Sequence, residues 1–353
     1  METPPNKRML WLDAVKGFSI ISIMISHSCG IPIIGKYFVA GFVSIWFVLS
    51  GFTIREESLL VGVGKKFRSL IIPYFFYGLL CVAALSIRHF ILSGYDTRYT
   101  LNFLWGLIYS RYSLYSPLIC VDNNFFFMRA GIEPLWFLTC LFLSFIWTYF
   151  YLGNSRKDRL VLLIVYLIIP ILCEKLPILL PWSFDTSFLG SIFMIIGYHF
   201  KNIFINKQIA LYYSPIKSWI IFLFFIILLI IVVNEFGAGN FSIGYYGDCG
   251  VLSYVAFISI GIIKTILLCF FFIIMEKTML SKCLASVGKQ SLRLMCLHLA
   301  VFVFVGVVDK SPTMTILSFF ILSVIGVLIS YFLSLLFGKL QILNIDNRVL
   351  KYL

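Results

Sequence analysis

The sequence predicts an all-α integral membrane protein, a bundle of about ten membrane-spanning helices. Of its 353 residues, 61% are hydrophobic and only 12% are charged, and the mean hydropathy is +1.01. Soluble domains carry roughly 25% charged residues. The apolar residues also fall in long blocks, which hold more apolar surface than soluble cores of roughly 150 residues can bury. The composition therefore excludes a soluble globular protein.

Ten apolar blocks approach the roughly 20 residues that cross a bilayer. Their limits are 9–31, 37–54, 70–93, 133–153, 160–173, 184–200, 217–234, 249–275, 290–308 and 314–337. An even number of spans places both termini on one side. If that side is cytoplasmic, the inner segments, together with the inner ends of the spans beside them, hold 19 of the 28 Lys and Arg residues. Three lie deeper within spans, and the outer segments hold six. The six are Lys36, Arg98, Arg111, Arg129, Lys175 and Lys310.

This asymmetry follows the positive-inside rule, so both termini are predicted to be cytoplasmic. The rule also explains the net charge of +13, and we expect the lipid bilayer rather than nucleic acid as the partner of these charges. The connections between blocks leave no room for a soluble catalytic domain, so residues 1–353 are predicted to form a single membrane domain. The first block carries Asp13 and Lys16 and no signal-peptide cleavage site, so we expect it to stay in the mature protein.

Two outer connections have features of their own. Residues 94–132 contain apolar side chains at a spacing that suits a short helix lying in the membrane interface. These are Leu101, Leu104, Trp105, Ile108 and Tyr109. Residues 234–248 are rich in glycine and polar side chains, which is typical both of a binding loop and of a plain connector. The nine cysteines are scattered singly, without metal-ligand spacing, so no metal is expected.

The first block contains the strongest candidates for chemistry, because an ionisable residue inside a span is a functional hypothesis by default. Lys16 and His27 are eleven residues apart, which on a helix is about 1100°, only about 20° more than three full turns. They therefore share one face, about 16 Å apart along the axis. Asp13 lies one turn before Lys16. The alternative is an interfacial Asp13–Lys16 pair and a His27 that merely ends the helix.

The motif Leu12-Asp13-x-x-Lys16-Gly17, with His27 after ten intervening positions, is followed in order by several others. These are Phe47-Val48-Leu49-Ser50-Gly51-Phe52, Lys65-Lys66-Phe67-Arg68-Ser69-Leu70-Ile71-Ile72-Pro73-Tyr74, Pro134-Leu135-Trp136-Phe137-Leu138, Leu180-Pro181-Trp182-Ser183-Phe184-Asp185, Gly197-Tyr198, and Gly288-x-x-Ser291-Leu292 before His298. Together they resemble the acyltransferase-3 family of integral-membrane acyl transferases, most of all its fucose 4-O-acetylase-like carbohydrate O-acetyltransferases. Lys16 and Lys65 stand where many members carry Arg. The charge survives, although lysine holds a phosphate less firmly.

The resemblance implies an enzyme of the plasma membrane, the inner membrane in bacteria, that moves an acetyl group from cytoplasmic acetyl-CoA to a hydroxyl of a carbohydrate. The acceptor would be an O-antigen, a capsule, another exopolysaccharide or a lipid-linked intermediate. Lys65, Lys66 and Arg68 suit the phosphates of coenzyme A, or are plain topogenic charges. His27 suits either a general base on the sugar hydroxyl or a transiently acylated nucleophile.

Acidic and aromatic groups near the outer ends of later spans are candidates for binding or supporting the acceptor. They are Glu133, Trp136, Trp182, Asp185, Asp248 and His298. For the aromatic members the alternative is the ordinary interfacial belt, and for His298 it is a buried structural role. Lys264 lies mid-span and is expected to pair with a carboxylate or to line a wet cavity. His89 and His199 are expected to be structural.

Two other classes share this composition, a polysaccharide polymerase and a lipid-linked sugar flippase. A flippase is expected to show more than ten spans. A polymerase is expected to place key arginines in large outer loops, and Arg98, Arg111 and Arg129 keep that possibility open. The order of the motifs favours the transferase.

Overall fold

Helices account for the regular structure of this chain. The computed structural model describes residues 9–28, 41–94, 96–111, 113–116, 119, 133–205, 215–306 and 316–339. Across those ranges the only β pairings are two isolated bridges, Tyr115 with Ile178 and Asn240 with Tyr245. The predicted all-α class is confirmed.

The described α-helices are numbered here in chain order. They are α1 (Leu10–Ser28), α2 (Phe42–Phe52), α3 (Leu59–Lys66), α4 (Ile72–Ser93), α5 (Thr97–Tyr109), α6 (Trp136–Gly153), α7 (Arg156–Cys173), α8 (Phe184–Ile205), α9 (Pro215–Phe236), α10 (Val251–Ile274), α11 (Met279–Gly288), α12 (Ser291–Val305) and α13 (Ile316–Lys339). Each of the ten predicted spans overlaps one of them, and α7, α8, α9 and α13 extend beyond the predicted limits. The predicted interfacial helix is α5, whereas α3 and α11 were not predicted.

Several of these helices are long and apolar enough to cross a membrane. Within the described ranges five segments meet that test, and they are Leu10–His27, Leu59–Ser93, Glu133–Gly153, Val251–Ile274 and Ile321–Lys339. The pair α11 and α12 becomes a sixth if the 75° bend between them is counted inside one broken span. The protein is therefore a multi-pass membrane protein. The count of ten spans and the side of the termini stay predictions.

The outer helices expose large apolar side chains, as a surface in contact with lipid requires. Ile91 of α4 is 73% exposed, Phe224 of α9 60%, and Leu328 of α13 62%. In water such a surface would be an aggregation site, but lipid chains are as apolar as these side chains. The exposed residues therefore mark the perimeter of the bundle, whereas Asp13 of α1 is buried inside it.

Helix α1 occupies the centre, where it packs against α2, α10, α11, α12 and α13. Its crossing with α11 is a backbone contact made by two glycines. A Cβ atom on Gly17 would overlap the carbonyl oxygen of Leu284, and a Cβ atom on Gly288 would overlap that of Asp13. The crossing fixes α1 at the level of Asp13 and Lys16.

A second crossing, between α2 and α8, repeats this arrangement. A Cβ atom on Gly51 would overlap the carbonyl oxygen of Met194, and one on Gly197 would overlap that of Val48. Small residues let membrane helices approach this closely. The glycines of four sequence motifs are thus helix-packing residues rather than parts of a catalytic loop.

Candidate functional site

Helix α1 carries the first candidate residues. It runs unbroken from Leu10 to Ser28, so Lys16 and His27 lie on one face about 16 Å apart, as the spacing predicts. Asp13 is buried, Lys16 is partly buried, and His27 is exposed. The His27 side chain is therefore accessible from outside the packed core.

The side chain beside His27 is another histidine, His298 of α12. The two ring centroids are 5.5 Å apart, and the ring planes are inclined by 44°. His298 is fully buried, and the Phe302 ring packs at right angles to it with centroids 5.8 Å apart. Two candidates that are 271 positions apart in the chain thus meet at the end of α1.

The hydrogen bonds of His298 define its tautomer. Its Nδ1 lies 2.9 Å from the carbonyl oxygen of Leu294 and 3.1 Å from that of Met295. Both partners are acceptors, so Nδ1 carries the hydrogen and donates it, and Nε2 keeps a lone pair. In the described part of the chain Nε2 is buried without a hydrogen-bond partner. A buried acceptor without a hydrogen-bond partner typically lowers the stability of the fold by about 1–3 kcal/mol.

Glu133 belongs to a segment that contacts α12, the helix of His298. It begins a 3₁₀ turn, Glu133–Leu135, that packs against α12 immediately before α6. Glu133 is partly buried. Three of the predicted site residues are therefore connected with α12: His298 belongs to it, His27 packs against His298, and the turn that begins at Glu133 contacts it.

The predicted donor residues lie toward the other end of α1. Lys66 is buried, its Nζ is 4.0 Å from the centre of the Phe145 ring, and it interacts electrostatically with Lys16 of α1. Lys65 is exposed and forms an ion pair with Glu57 at 2.7 Å. Arg68 is exposed as well. Lys16 and Lys65 thus both lie near Lys66, and Arg68 follows Lys66 by two residues.

The chain changes its helical pitch beside this basic cluster of Lys16, Lys65, Lys66 and Arg68. Residues Phe67–Ile71 form a π-helical turn between α3 and α4. The cause lies in Pro73, whose ring crowds the carbonyl group four residues earlier in an ordinary α-helix. The wider turn relieves that contact. π turns are frequent at functional sites because they reorient side chains within a continuous helix.

On the predicted outer side, Arg111 joins three segments. Its guanidinium forms a buried ion pair with Asp185, and its Nε donates to the carbonyl oxygen of Leu180 at 3.0 Å. Its Nη1 donates to the carbonyl oxygen of Ser242. Oδ1 of Asp185 also accepts the backbone N–H of Thr186. The described contacts of Asp185 therefore support the surrounding loops.

The motif that contains Asp185 begins with a strained turn. Trp182 and Ser183 have φ values of 57° and 58°, a left-handed conformation that costs about 1–2 kcal/mol per non-glycine residue. The Trp182 indole N–H donates to the carbonyl oxygen of Ile108 at 2.9 Å, and Trp182 is partly buried. The contacts of Arg111 and Trp182 hold the turn in place.

The glycine-rich connection, predicted to be outer, inserts two aromatic side chains into the core, Phe241 and Tyr246. Phe241 is buried and stacks on Phe47, with centroids 5.1 Å apart, and on Trp136, with centroids 6.0 Å apart. Asp248 is exposed and accepts a hydrogen bond from the Tyr245 hydroxyl. That bond, with burial, raises the pKa of Tyr245 to about 12.

The remaining candidates contact aromatic side chains. Lys264 Nζ lies 4.1 Å from the centre of the Phe42 ring, a cation–π contact that the sequence hypothesis had not included. His89 stacks on Tyr99 with centroids 3.8 Å apart, and His199 Nε2 is 3.5 Å from the Tyr151 hydroxyl. In the described ranges no group of three or more His, Cys, Asp or Glu residues is placed to hold a metal ion. Arg129 lies outside the described residues.

The fold and its interior polar groups define a multi-pass membrane protein with ionisable side chains at both ends of a central helix. Residues 9–335 match the family described as an acyltransferase domain. The chain belongs to this family, and the resemblance to the acyltransferase-3 enzymes is confirmed. Comparisons with curated proteins and with solved structures found no match.

Proposed function

We propose that the protein transfers an acetyl group from cytoplasmic acetyl-CoA to a hydroxyl of a cell-surface or lipid-linked carbohydrate, as the fucose 4-O-acetylase-like branch is expected to do. The proposal depends on one observation: α1 carries different ionisable groups toward its two ends. Lys16 lies beside the buried cation Lys66, and His27, on the same helix face, lies beside His298. One helix therefore links an anion site to a proton-accepting site.

The basic cluster suits the phosphates of the donor. Lys16 and Lys66 repel each other, and Lys66 lies buried against the Phe145 ring. An anion bound there relieves the repulsion, and charge-assisted hydrogen bonds form readily at such a place. Lys65 binds the same anion once its exposed ion pair with Glu57 breaks. Breaking it costs little free energy, because exposed ion pairs contribute about 0–1 kcal/mol to stability.

Two reaction mechanisms are compatible with an imidazole at the position of His27. In direct transfer, His27 takes the proton of the sugar hydroxyl while the oxygen attacks the thioester carbon. The C–S bond then breaks, and the proton passes to the departing thiolate of coenzyme A. In the covalent alternative, His27 attacks first and the thiolate leaves. The sugar oxygen then displaces the imidazole from the acetyl group, and the proton of the hydroxyl passes to the thiolate.

The acceptor is expected on the outer side of His27. Three candidates for its binding site are Glu133, which is partly buried, and Trp136 and Trp182, which retain accessible surface. Carboxylates bind sugar hydroxyls, and flat rings pack against the C–H faces of sugars. Asp248 is exposed at the glycine-rich connection and would contact the more distant part of the acceptor, whereas Asp185 supports the loops.

The proposal is tested with membranes that contain the protein and radiolabelled acetyl-CoA. The label is expected in the carbohydrate fraction, and mass spectrometry of surface glycan from cells with and without the gene is expected to differ by acetyl groups. The change His27→Ala is expected to lower the transfer rate by at least about 100-fold. His199→Ala, a histidine outside the pair, serves as the control. Transfer by His27→Ala above about a tenth of the wild-type rate would contradict the role of His27.

The donor site has its own test. Replacing Lys65, Lys66 and Arg68 by Gln is expected to raise the KM for acetyl-CoA far more than the KM for the acceptor. The matched control is the pair Arg156→Gln and Lys157→Gln, two exposed cations at the start of α7. If the triple variant only lowers the amount of protein inserted in the membrane, these residues orient the protein and do not bind acetyl-CoA.

A further inference from the structure

We infer that His298 is a positioning residue for His27: its buried Nε2 accepts a hydrogen bond from one ring nitrogen of His27 and so leaves the other ring nitrogen of His27 free to face the substrates. The inference rests on the proposed function, because it concerns the same transfer step. It assigns a separate role to each of the two histidines.

The first step of the argument is the fixed tautomer of His298. Its Nδ1 hydrogen is donated to the backbone of its own helix, at Leu294 and Met295. Nε2 is therefore an acceptor that cannot take a hydrogen without producing a buried cation. It has no partner in the described ranges. A fully buried acceptor in this condition requires a donor.

The second step is the choice of that donor. Of the two rings that pack against His298, Phe302 has no N–H or O–H group, whereas His27 has one N–H when neutral. The centroids of the two imidazoles are 5.5 Å apart. Because each nitrogen lies about one bond length from its centroid, a turn of the His27 ring, with the His298 ring held by its Nδ1 hydrogen bonds, brings a nitrogen of His27 close to hydrogen-bond distance of Nε2.

The third step separates the two roles. His27 is exposed and His298 is fully buried, so His27 meets the substrates and His298 does not. A hydrogen bond from His27 to His298 places the remaining lone pair of His27 on its opposite side, where a hydroxyl or a thioester approaches. A buried carboxylate orients the histidine of a serine-protease triad in the same way. His298 stays neutral throughout, and the transferred proton passes only through His27.

Two amide variants distinguish this role from simple packing. The amide of Gln reaches approximately the place of Nε2, whereas that of Asn reaches the place of Nδ1. We expect His298→Gln to transfer labelled acetyl groups from acetyl-CoA at a rate within about tenfold of the wild-type rate. His298→Asn is expected to lose on the order of 100-fold in kcat with an unchanged KM for acetyl-CoA. Equal activity of the two variants would overturn the inference.

A double variant tests whether His298 acts through His27. The rate of His27→Ala/His298→Ala is expected to equal that of His27→Ala alone, because two residues that act as a unit are not additive. A further tenfold loss would show an independent role for His298 and would overturn the inference. If His27→Ala itself remains active, the catalytic assignment under the proposed function fails as well. If His27 is essential but the Gln and Asn variants are alike, only the role of His298 fails.

The wild-type protein provides a measurement that needs no variant. The chain has four histidines, so a solid-state NMR spectrum of protein labelled with ¹⁵N in its histidine rings is simple. We expect a coupling across an N–H···N hydrogen bond between two imidazole rings, which His298→Asn abolishes. A spectrum of the wild-type protein without a coupled pair of histidines would contradict the inference.

Discussion

Arg111 shows how one side chain organises the outer part of the molecule. Its planar guanidinium presents several donors in a fixed fork, and here they bind Asp185 and the carbonyl groups of Leu180 and Ser242. The polymerase alternative relied partly on this arginine as a ligand for substrate. Because Arg111 is buried and its described partners are intramolecular, the structure removes that support.

The first prediction concerns this residue. Arg111→Ala leaves Asp185 buried without its cation, and breaking such a pair typically costs about 3–5 kcal/mol. We expect a markedly lower thermal unfolding temperature in detergent. Arg111→Lys is expected to recover little of it, because one ammonium group cannot reach three acceptors.

The matched control for Arg111 is Arg98→Ala. Arg98 belongs to the same outer connection but is exposed, so its replacement is expected to change stability by less than about 0.5 kcal/mol. Equal unfolding temperatures for the two alanine variants would show that the ion pair does not support the loops.

The two residues His27 and Arg111 differ in how far sequence alone could predict them. His27 is conspicuous because an ionisable side chain in an apolar block is costly. Arg111 pairs with a carboxylate 74 positions away and with two backbone carbonyl groups. Backbone acceptors have no signature in the sequence, so the pattern marked Asp185 as a candidate and missed the partner that holds it.

At the scale of elements, the glycine crossings determine where the helices meet. The second prediction is that Gly17→Ala and Gly288→Ala each destabilise the protein, since a methyl group at either position overlaps a backbone carbonyl oxygen. Overpacking of this kind typically costs about 1–3 kcal/mol. Thermal unfolding in detergent measures it.

Gly64 of α3 is the control for these two glycines. A Cβ atom there meets nothing within 4 Å, so Gly64→Ala is expected to be neutral or to stabilise the helix by about 0.5–1 kcal/mol. If Gly17→Ala unfolds at the same temperature as Gly64→Ala, α1 and α11 do not depend on backbone contact.

Prediction of the elements depended on length and periodicity. The ten apolar blocks were found because hydropathy over roughly 20 residues is a strong signal, and α5 was found from its apolar spacing. Helices α3 and α11 have eight and ten residues, too short for that window. The π turn before Pro73 also escaped, because its cause is a local steric contact that hydropathy does not record.

For the whole molecule, the third prediction concerns orientation. The basic residues divide 19 to six between the predicted inner and outer segments. A reporter fused after Lys65 or Lys201 is therefore expected to be active in the cytoplasm, and one in residues 94–132 or 236–246 outside it. The reverse pattern would place the donor residues on the wrong side and overturn the proposed function with the orientation.

The length of α1 between Lys16 and His27 has an electrical consequence. If the phosphates of coenzyme A stay at the basic cluster, its flexible arm delivers only a neutral acetyl group over that distance of about 16 Å. Carrying one elementary charge through the bilayer would add about 2.3 kcal/mol per 100 mV to the barrier. An acyl group carried alone avoids this added barrier. On the proposed function we therefore expect an electroneutral transfer whose rate is independent of the membrane voltage.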